Sequence, residues 1–260
     1  MFKLVVLAIA LALHAASAEA QEWTPIPGTP PVYVQPIKPA ATPAPIVIML
    51  HGGSGLDTDQ VNAFAKWSSW LSSQGVGALI VDSYRGRNLR QFQSTGDRTA
   101  YMAMLRQRVG DLQRVVDWAR SQPWIDQQRI ATFGQSQGAI VATLAALETT
   151  LRLPEIGFYN GCDARYFDSK PVPTSYPPSL SLLGADDKVT PAANCEALRA
   201  RMGTAGQAIR LIVFPGATHT FDWYAAERTW NGNTVRYSTS ADQGAQAAIA
   251  DFLRSRRFIR

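Results

Sequence analysis

Histidine and cysteine are scarce in this chain of 260 residues, with three of the first and two of the second. His14 falls in a leader-like segment, leaving His51, His219, Cys162 and Cys195, too little for a zinc cluster, so no metal is expected. A P-loop is also missing, and no G-x-G-x-x-G follows a strand-like run, so no cofactor is expected. No apolar run reaches the length of a membrane span. Charged residues make up only 17% of the chain against 46% hydrophobic, enough apolar material for one large α/β domain. Negative charge is in deficit, giving a net charge of +5 and a pI near 9.4. That surplus does not require a nucleic-acid partner, because its densest run, "RSRRFIR", reads as a solvated helix end.

What is there begins with "MFKLVVLAIALALHAASAEA". A basic n-region, an apolar run from Leu4 to Leu13 and small residues fitting A-x-A predict a signal peptide over 1–20. Cleavage after Ala18 or Ala20 fits equally well. Export to the periplasm or beyond is therefore expected, with no transmembrane anchor. In an oxidising compartment Cys162 and Cys195 are expected to pair as a disulfide.

A Pro-rich segment occupies 21–44, with one edge strand expected at 32–35, and the main domain is placed at 45–260. Within it, "PIVIML" (45–50), "GALIV" (77–81), "RIATF" (129–133), "SLSLL" (179–183) and "IRLIVF" (209–214) are continuously apolar, the pattern of strands buried on both faces. "EIGFYNG" reads as a further strand. Met102, Leu105, Val109, Leu112, Val116 and Ala119 recur at helical spacing and predict a helix over 99–121. Helices are also expected over 60–74, 137–148, 191–203 and 243–254. This alternation predicts a single-domain α/β fold, a mostly parallel sheet with helices on both faces and no cap domain.

"GQSQG" (134–138) lies between a strand-like and a helical run, the setting of a nucleophile elbow. There Ser136 projects from a cramped turn, and the N-terminus of the following helix offers N–H groups to a developing oxyanion. A serine needs a base. His219, in "FPGATHTFD" just past the last strand, suits that role better than His51. His51 opens "HGGSG", where glycines let backbone approach a substrate, so an N–H of Gly53, with Ser54 as the second choice, could complete an oxyanion hole. "LLGADDKVTP" supplies the carboxylate, Asp187 first and Asp186 as the alternative, each of which could instead cap a helix. Arg85 or Arg87 could clamp a substrate carboxylate or be solvated loop residues. Tyr84, Tyr159, Phe221 and Trp223 could wall a pocket or pack in the core.

On "PIVIMLHGGSG", "VDSYRGR", "GQSQG", "GADDKVTP" and "PGATHTFD" the chain resembles the dienelactone hydrolase family of α/β-hydrolases. The resemblance implies an open, capless sheet of eight strands and hydrolysis of carboxylic esters or lactones. It assigns nucleophile, acid and base to Ser136, Asp187 and His219, and an oxyanion donor to the backbone of Gln137. Two departures stand out. The founding enzymes use cysteine where Ser136 stands, and of their two arginines that hold an anionic lactone, one meets Tyr84-Arg85-Gly86-Arg87 here and the other meets Trp223. The expected activity is thus a serine hydrolase acting on a small-molecule ester or lactone. A peptidase or amidase with the same residues, or a non-catalytic binding protein on the scaffold, are the rival readings.

Overall fold

The computed structural model describes residues 22–93, 96–167, 171–230 and 232–260. The expected signal peptide and His14 lie outside the described residues. Eight strands form the main sheet: β1 (Thr24–Ile26), β2 (Val32–Ile37), β3 (Ala44–Leu50), β4 (Gly77–Asp82), β5 (Ile125–Gln135), β6 (Glu155–Phe158), β7 (Ser179–Gly184) and β8 (Ile209–Phe214). Their spatial order is β1-β2-β4-β3-β5-β6-β7-β8. From β4 to β8 every neighbouring pair is parallel, while β2 runs antiparallel to β4 and β1 antiparallel to β2.

The sheet therefore starts well before residue 45. The 21–44 segment carries two strands where the sequence pattern offers one, and β1, not β2, forms the edge. Proline tolerates this position because few ladder N–H groups are needed near a sheet edge.

Helices α1 (Thr58–Ser73), α2 (Arg98–Arg120), α3 (Gln137–Glu148), a single-turn α4 (Ala164–Phe167), α5 (Ala192–Arg201) and α6 (Thr239–Ser255) cover the sheet. α1 and α6 pack on one face, around Phe64, Trp67, Phe133, Phe158 and Phe252. α2, α3 and α5 pack on the other, around Leu105, Leu112, Val116, Leu144 and Leu198. Because both faces are covered, β3 is buried along its whole length, which explains its unbroken apolar run. Side-chain caps fix three helix starts: Asp57 accepts from Gln60 N–H, Asp97 from Ala100 N–H and Ser238 from Ala241 N–H. Truncating a fully buried α2 residue such as Leu105 to alanine would cost about 2–5 kcal/mol.

A small hairpin of β9 (Arg228–Trp230) and β10 (Asn233–Val235) follows β8. No helix among the described residues is long and apolar enough to cross a membrane. Cys162, beyond β6, and Cys195, on α5, form a disulfide.

Candidate active site

Parallel strands all deliver their following loops to one rim of the sheet, and in open α/β sheets that rim is where ligands bind. Here β3, β5, β6, β7 and β8 are followed at that rim by His51-Gly52-Gly53, Ser136, Tyr159, Asp187 and His219.

Ser136 links β5 to α3 with φ 51° and ψ −114°, a backbone that an L-residue adopts only under constraint. The constraint is visible on both sides. A Cβ on Gly134 would lie 2.5 Å from the Ala139 backbone, and one on Gly138 would lie 2.0 Å from Leu50 O. Only glycine fits these places, so the spacing of "GQSQG" is a packing requirement. The Ser136 N–H donates to Phe158 O at 3.0 Å, locking the elbow to β6. Tyr159 and Thr220 share positive φ, at 36° and 57°, so three strained non-glycine residues gather at this rim.

Ser136 Oγ stands 3.1 Å from His219 Nε2, and His219 Nδ1 stands 2.8 Å from Asp187 Oδ2. With the carboxylate accepting at Nδ1–H, Nε2 is left to accept from the Ser136 hydroxyl. Asp187 Oδ1 accepts the N–H groups of Val189 at 2.8 Å and Thr190 at 2.9 Å. Thr190 Oγ1 has one proton and two acceptors in reach, Asp187 Oδ2 at 2.7 Å and Tyr159 O at 2.9 Å. Burial alone would push the Asp187 carboxyl up. The His219 hydrogen bond and charge, with the Thr190 N–H and hydroxyl, outweigh it and hold the carboxyl below its ordinary range. The His219 ring is flanked by Tyr159, 4.5 Å away between centroids, and by Trp230 of β9, stacked 6° from parallel at 5.9 Å.

Asp186, the alternative acid, is solvent-exposed, and its N–H donates to Ala217 O. His51 is occupied elsewhere: Nδ1–H donates to Gly52 O at 2.7 Å and Nε2 accepts from Ser83 N–H at 3.3 Å. Burial, reinforced by the charge of Arg108, keeps its pKa far below the usual histidine value, so it is neutral.

Of the two expected oxyanion donors, Gln137 follows Ser136 directly and Gly53 lines the same cleft. Gln137 opens α3, where first-turn N–H groups have no acceptor within the helix. In the facing loop Gly52 N–H is committed to Gln60 Oε1 at 3.0 Å, which leaves Gly53 as the next donor along the chain. Phe92 braces both segments, since its N–H donates to Gly53 O at 2.8 Å and its carbonyl accepts Gln137 Nε2 at 2.9 Å.

Ser136 and His219 open into a cleft of about 710 Å³, lined by the rings of Tyr101, Tyr159, Tyr166, Trp223 and Trp230. Of the residues expected to contact substrate, Tyr159 and Trp223 line it. The other three are placed elsewhere. Tyr84 is buried, its hydroxyl donating to Gln137 Oε1 at 2.6 Å. Arg87 is bound to Asp111 through Nη1 at 2.7 Å and Nη2 at 3.2 Å, and its Nη1 also donates to Ser83 O. Arg85 lies over the ring of Tyr33 at 4.6 Å. An ion pair and a stacking partner thus remove both guanidinium groups from the cleft. Phe221 packs in the core against Phe158 and Phe214.

A family model described as the dienelactone hydrolase family matches residues 32–256. The chain belongs to that family. Membership places it among the carboxylic ester hydrolases. No curated protein matches it. Among solved structures it is similar to a thermophilic esterase, Est2, from the planctomycete Thermogutta terrifontis. The native form of that esterase has a TM-score of 0.68 and 16% identity, with 92% of this chain and 93% of that one covered. Its form phosphoramylated by tabun has a TM-score of 0.70 at 17% identity, covering 92% and 95%. At such identity the likeness establishes the α/β-hydrolase fold. Arg85 and Arg87 stay outside this cleft, and the arginines that line it are Arg165 and Arg228.

Sequence reasoning missed Trp230, Thr190 and the amides beneath the elbow. Gln60 Nε2 donates to Gln135 Oε1, and Gln135 Nε2 donates to the buried Asp222 carboxylate at 2.6 Å. An Asn-Gly pair at 231–232, a sequence favoured where strands reverse, was the available signal for the β9–β10 element that carries Trp230. Nothing in periodicity flags buried glutamines.

Proposed function

We propose that this family member is a serine hydrolase that cleaves carboxylic esters or lactones through an acyl-enzyme on Ser136. The observation that carries the reading is the continuous chain Ser136 Oγ, His219 Nε2, His219 Nδ1 and Asp187 Oδ2, with spacings of 3.1 and 2.8 Å. His219 takes the hydroxyl proton as Oγ attacks the ester carbonyl, and Asp187 holds the ring in the required tautomer and stabilises the imidazolium. The backbone N–H groups of Gln137 and Gly53 receive the oxyanion. Collapse of the tetrahedral adduct breaks the C–O bond, and His219 returns the proton to the leaving alcohol. Water, deprotonated by the same ring, then attacks the acyl carbonyl and frees Ser136.

With Arg85 and Arg87 engaged elsewhere and Trp223 at the second arginine position, the charged residues that line the cleft are instead Arg165, Lys188 and Arg228, beside Asp57, Asp59 and Asp163. The aromatic part of the lining, Tyr101, Tyr159, Tyr166, Trp223 and Trp230, suits an aryl or alkyl group of the ester. Export is part of the same proposal, supported by the leader-like residues 1–20 and the Cys162–Cys195 disulfide. Intact mass of the protein recovered from a periplasmic extract would test it, since retention of residues 1–20 contradicts processing.

For the chemistry, hydrolysis of p-nitrophenyl acetate should fall by at least about 10³-fold in Ser136→Ala. The Thermogutta terrifontis esterase is phosphorylated by paraoxon. A fluorophosphonate should likewise add one label here, mapped by mass spectrometry to Ser136. Turnover surviving the substitution, or a label on another residue, overturns the assignment.

A further inference from the structure

Arg108 is a buried charge that the reaction scheme does not use. It lies on α2 with 1% of its surface exposed, on the same face as Leu105, Val109 and Leu112. Among the described residues no carboxylate pairs with it. Nη1 donates to Gln137 Oε1, Nη2 donates to His51 O at 2.7 Å, and Nε has no acceptor. The guanidinium also stands 5.2 Å from the Tyr84 ring centroid. Burying a guanidinium without a counter-charge costs several kcal/mol, so packing alone does not account for it. Both of its acceptors belong to the two segments that carry the proposed oxyanion donors.

We propose that Arg108 is a positioning residue for the oxyanion hole, bracing the His51–Gly52 peptide and the Gln137 side chain while holding an uncompensated positive charge behind the Gly53 and Gln137 N–H groups. The inference rests on the acyl-enzyme reading above.

The bracing follows from the peptide geometry. The His51 carbonyl is held by Arg108 and the Gly52 N–H by Gln60, so that peptide plane is fixed at both ends. The next carbonyl, of Gly52, accepts from His51 Nδ1–H and from Gly55 N–H. In a trans peptide the N–H points opposite to the carbonyl, so the direction of Gly53 N–H is set by these bonds. On the other side Gln137 Oε1 accepts from both Arg108 and Tyr84. Electrostatics adds to this. A fixed charge in a dry interior favours the negative tetrahedral adduct over the neutral ester, which is the differential binding that raises kcat. Tyr84 supplies Gln137 with a hydrogen bond but no charge, and so serves as a comparison built into the fold.

The test uses Arg108→Met, Arg108→Lys and Tyr84→Phe in the full-length protein. It reads kcat and KM with p-nitrophenyl acetate, the rate of fluorophosphonate labelling of Ser136, and the melting temperature. Arg108→Met should lower kcat by about 10- to 100-fold with KM within about threefold, and labelling should slow in parallel. Arg108→Lys should stay within about tenfold of wild type, and Tyr84→Phe within about fivefold. The proposal is overturned if Arg108→Met keeps kcat within about twofold, or if Tyr84→Phe loses as much as Arg108→Met. If Arg108→Met does not fold, Arg108→Lys decides: a folded lysine variant reduced more than about 100-fold means that charge is not the contribution. A wild type that fails to label at Ser136 removes the acyl-enzyme reading and this inference together. A wild type that labels, with variants that label equally fast, removes Arg108 alone.

Discussion

Asp186 and Asp187 are neighbours in sequence with opposite surroundings. Asp187 is buried and accepts from His219, Val189 and Thr190, whereas the Asp186 side chain faces solvent. Removing the Asp187 charge while keeping its shape, as in Asp187→Asn, would offer His219 an amide and favour the wrong tautomer. A loss of about 10³- to 10⁴-fold in kcat is expected. Asp186→Asn should leave kcat within about twofold. Steady-state kinetics on the pair decides between them, and equal losses would mean that the acid is misassigned. Ser136, Asp187 and His219, which the fold brings within hydrogen-bond reach of one another, each occupy a short motif after an apolar run, in a chain with only three histidines. Arg108 was not legible in this way. An arginine on a helix is ordinarily solvated, and only the fold reveals that position 108 faces inward among Leu105, Val109 and Leu112.

Among the elements, buried parallel strands were the easiest to read, because continuous apolarity is what two covered faces demand. β3 and β8 fall within a residue of the expected spans, and α3 matches 137–148. β1, with three residues, and the β9–β10 hairpin were missed, since short half-exposed strands lack an apolar run. That hairpin stacks Trp230 on His219, so the omission bears on the candidate site. The loop that carries Asp187 has a second support. It lies between β7 and α5, and the disulfide ties α5 at Cys195 to Cys162 beyond β6. The bond closes a loop across a separation of 33 residues. In the chain-entropy model such a crosslink stabilises by about 3–4 kcal/mol. The Cys162→Ala/Cys195→Ala double variant should therefore lose roughly that much in urea unfolding, and dithiothreitol should reproduce the loss in the wild type. Unchanged midpoints under both treatments would show that the surrounding packing carries the stability by itself.

Taken whole, the sheet separates chemistry from a second titratable feature. The functional groups gather where the parallel strands end, whereas Glu155 stands at the start of β6, about one strand length away, roughly 10–13 Å. It is buried and accepts from the Tyr176 hydroxyl at 2.8 Å. Burial dominates, and its carboxyl is pushed up to about 8 despite hydrogen bonds from Tyr176 and Ser179 that favour the anion. Between the ordinary glutamate pKa and about 8 the folded protein keeps a proton that the unfolded chain releases. Stability must then decline as pH rises through that window and level off above it. Asp187, held below its ordinary range, acts in the opposite sense, its contribution disappearing only in acid. Glu155→Gln retains the shape and removes the titration. It should flatten the fall in melting temperature from pH 5 to pH 9 and stabilise the protein at pH 9 by a few kcal/mol, on the order expected for a buried carboxyl forced to ionise. Because Glu155 lies at the far end of its strand from Ser136, kcat should remain near that of the wild type. Melting curves at pH 5, 7 and 9 check the first expectation and ester kinetics the second. A variant that melts in parallel with wild type across the range would show that Glu155 is already ionised in the fold.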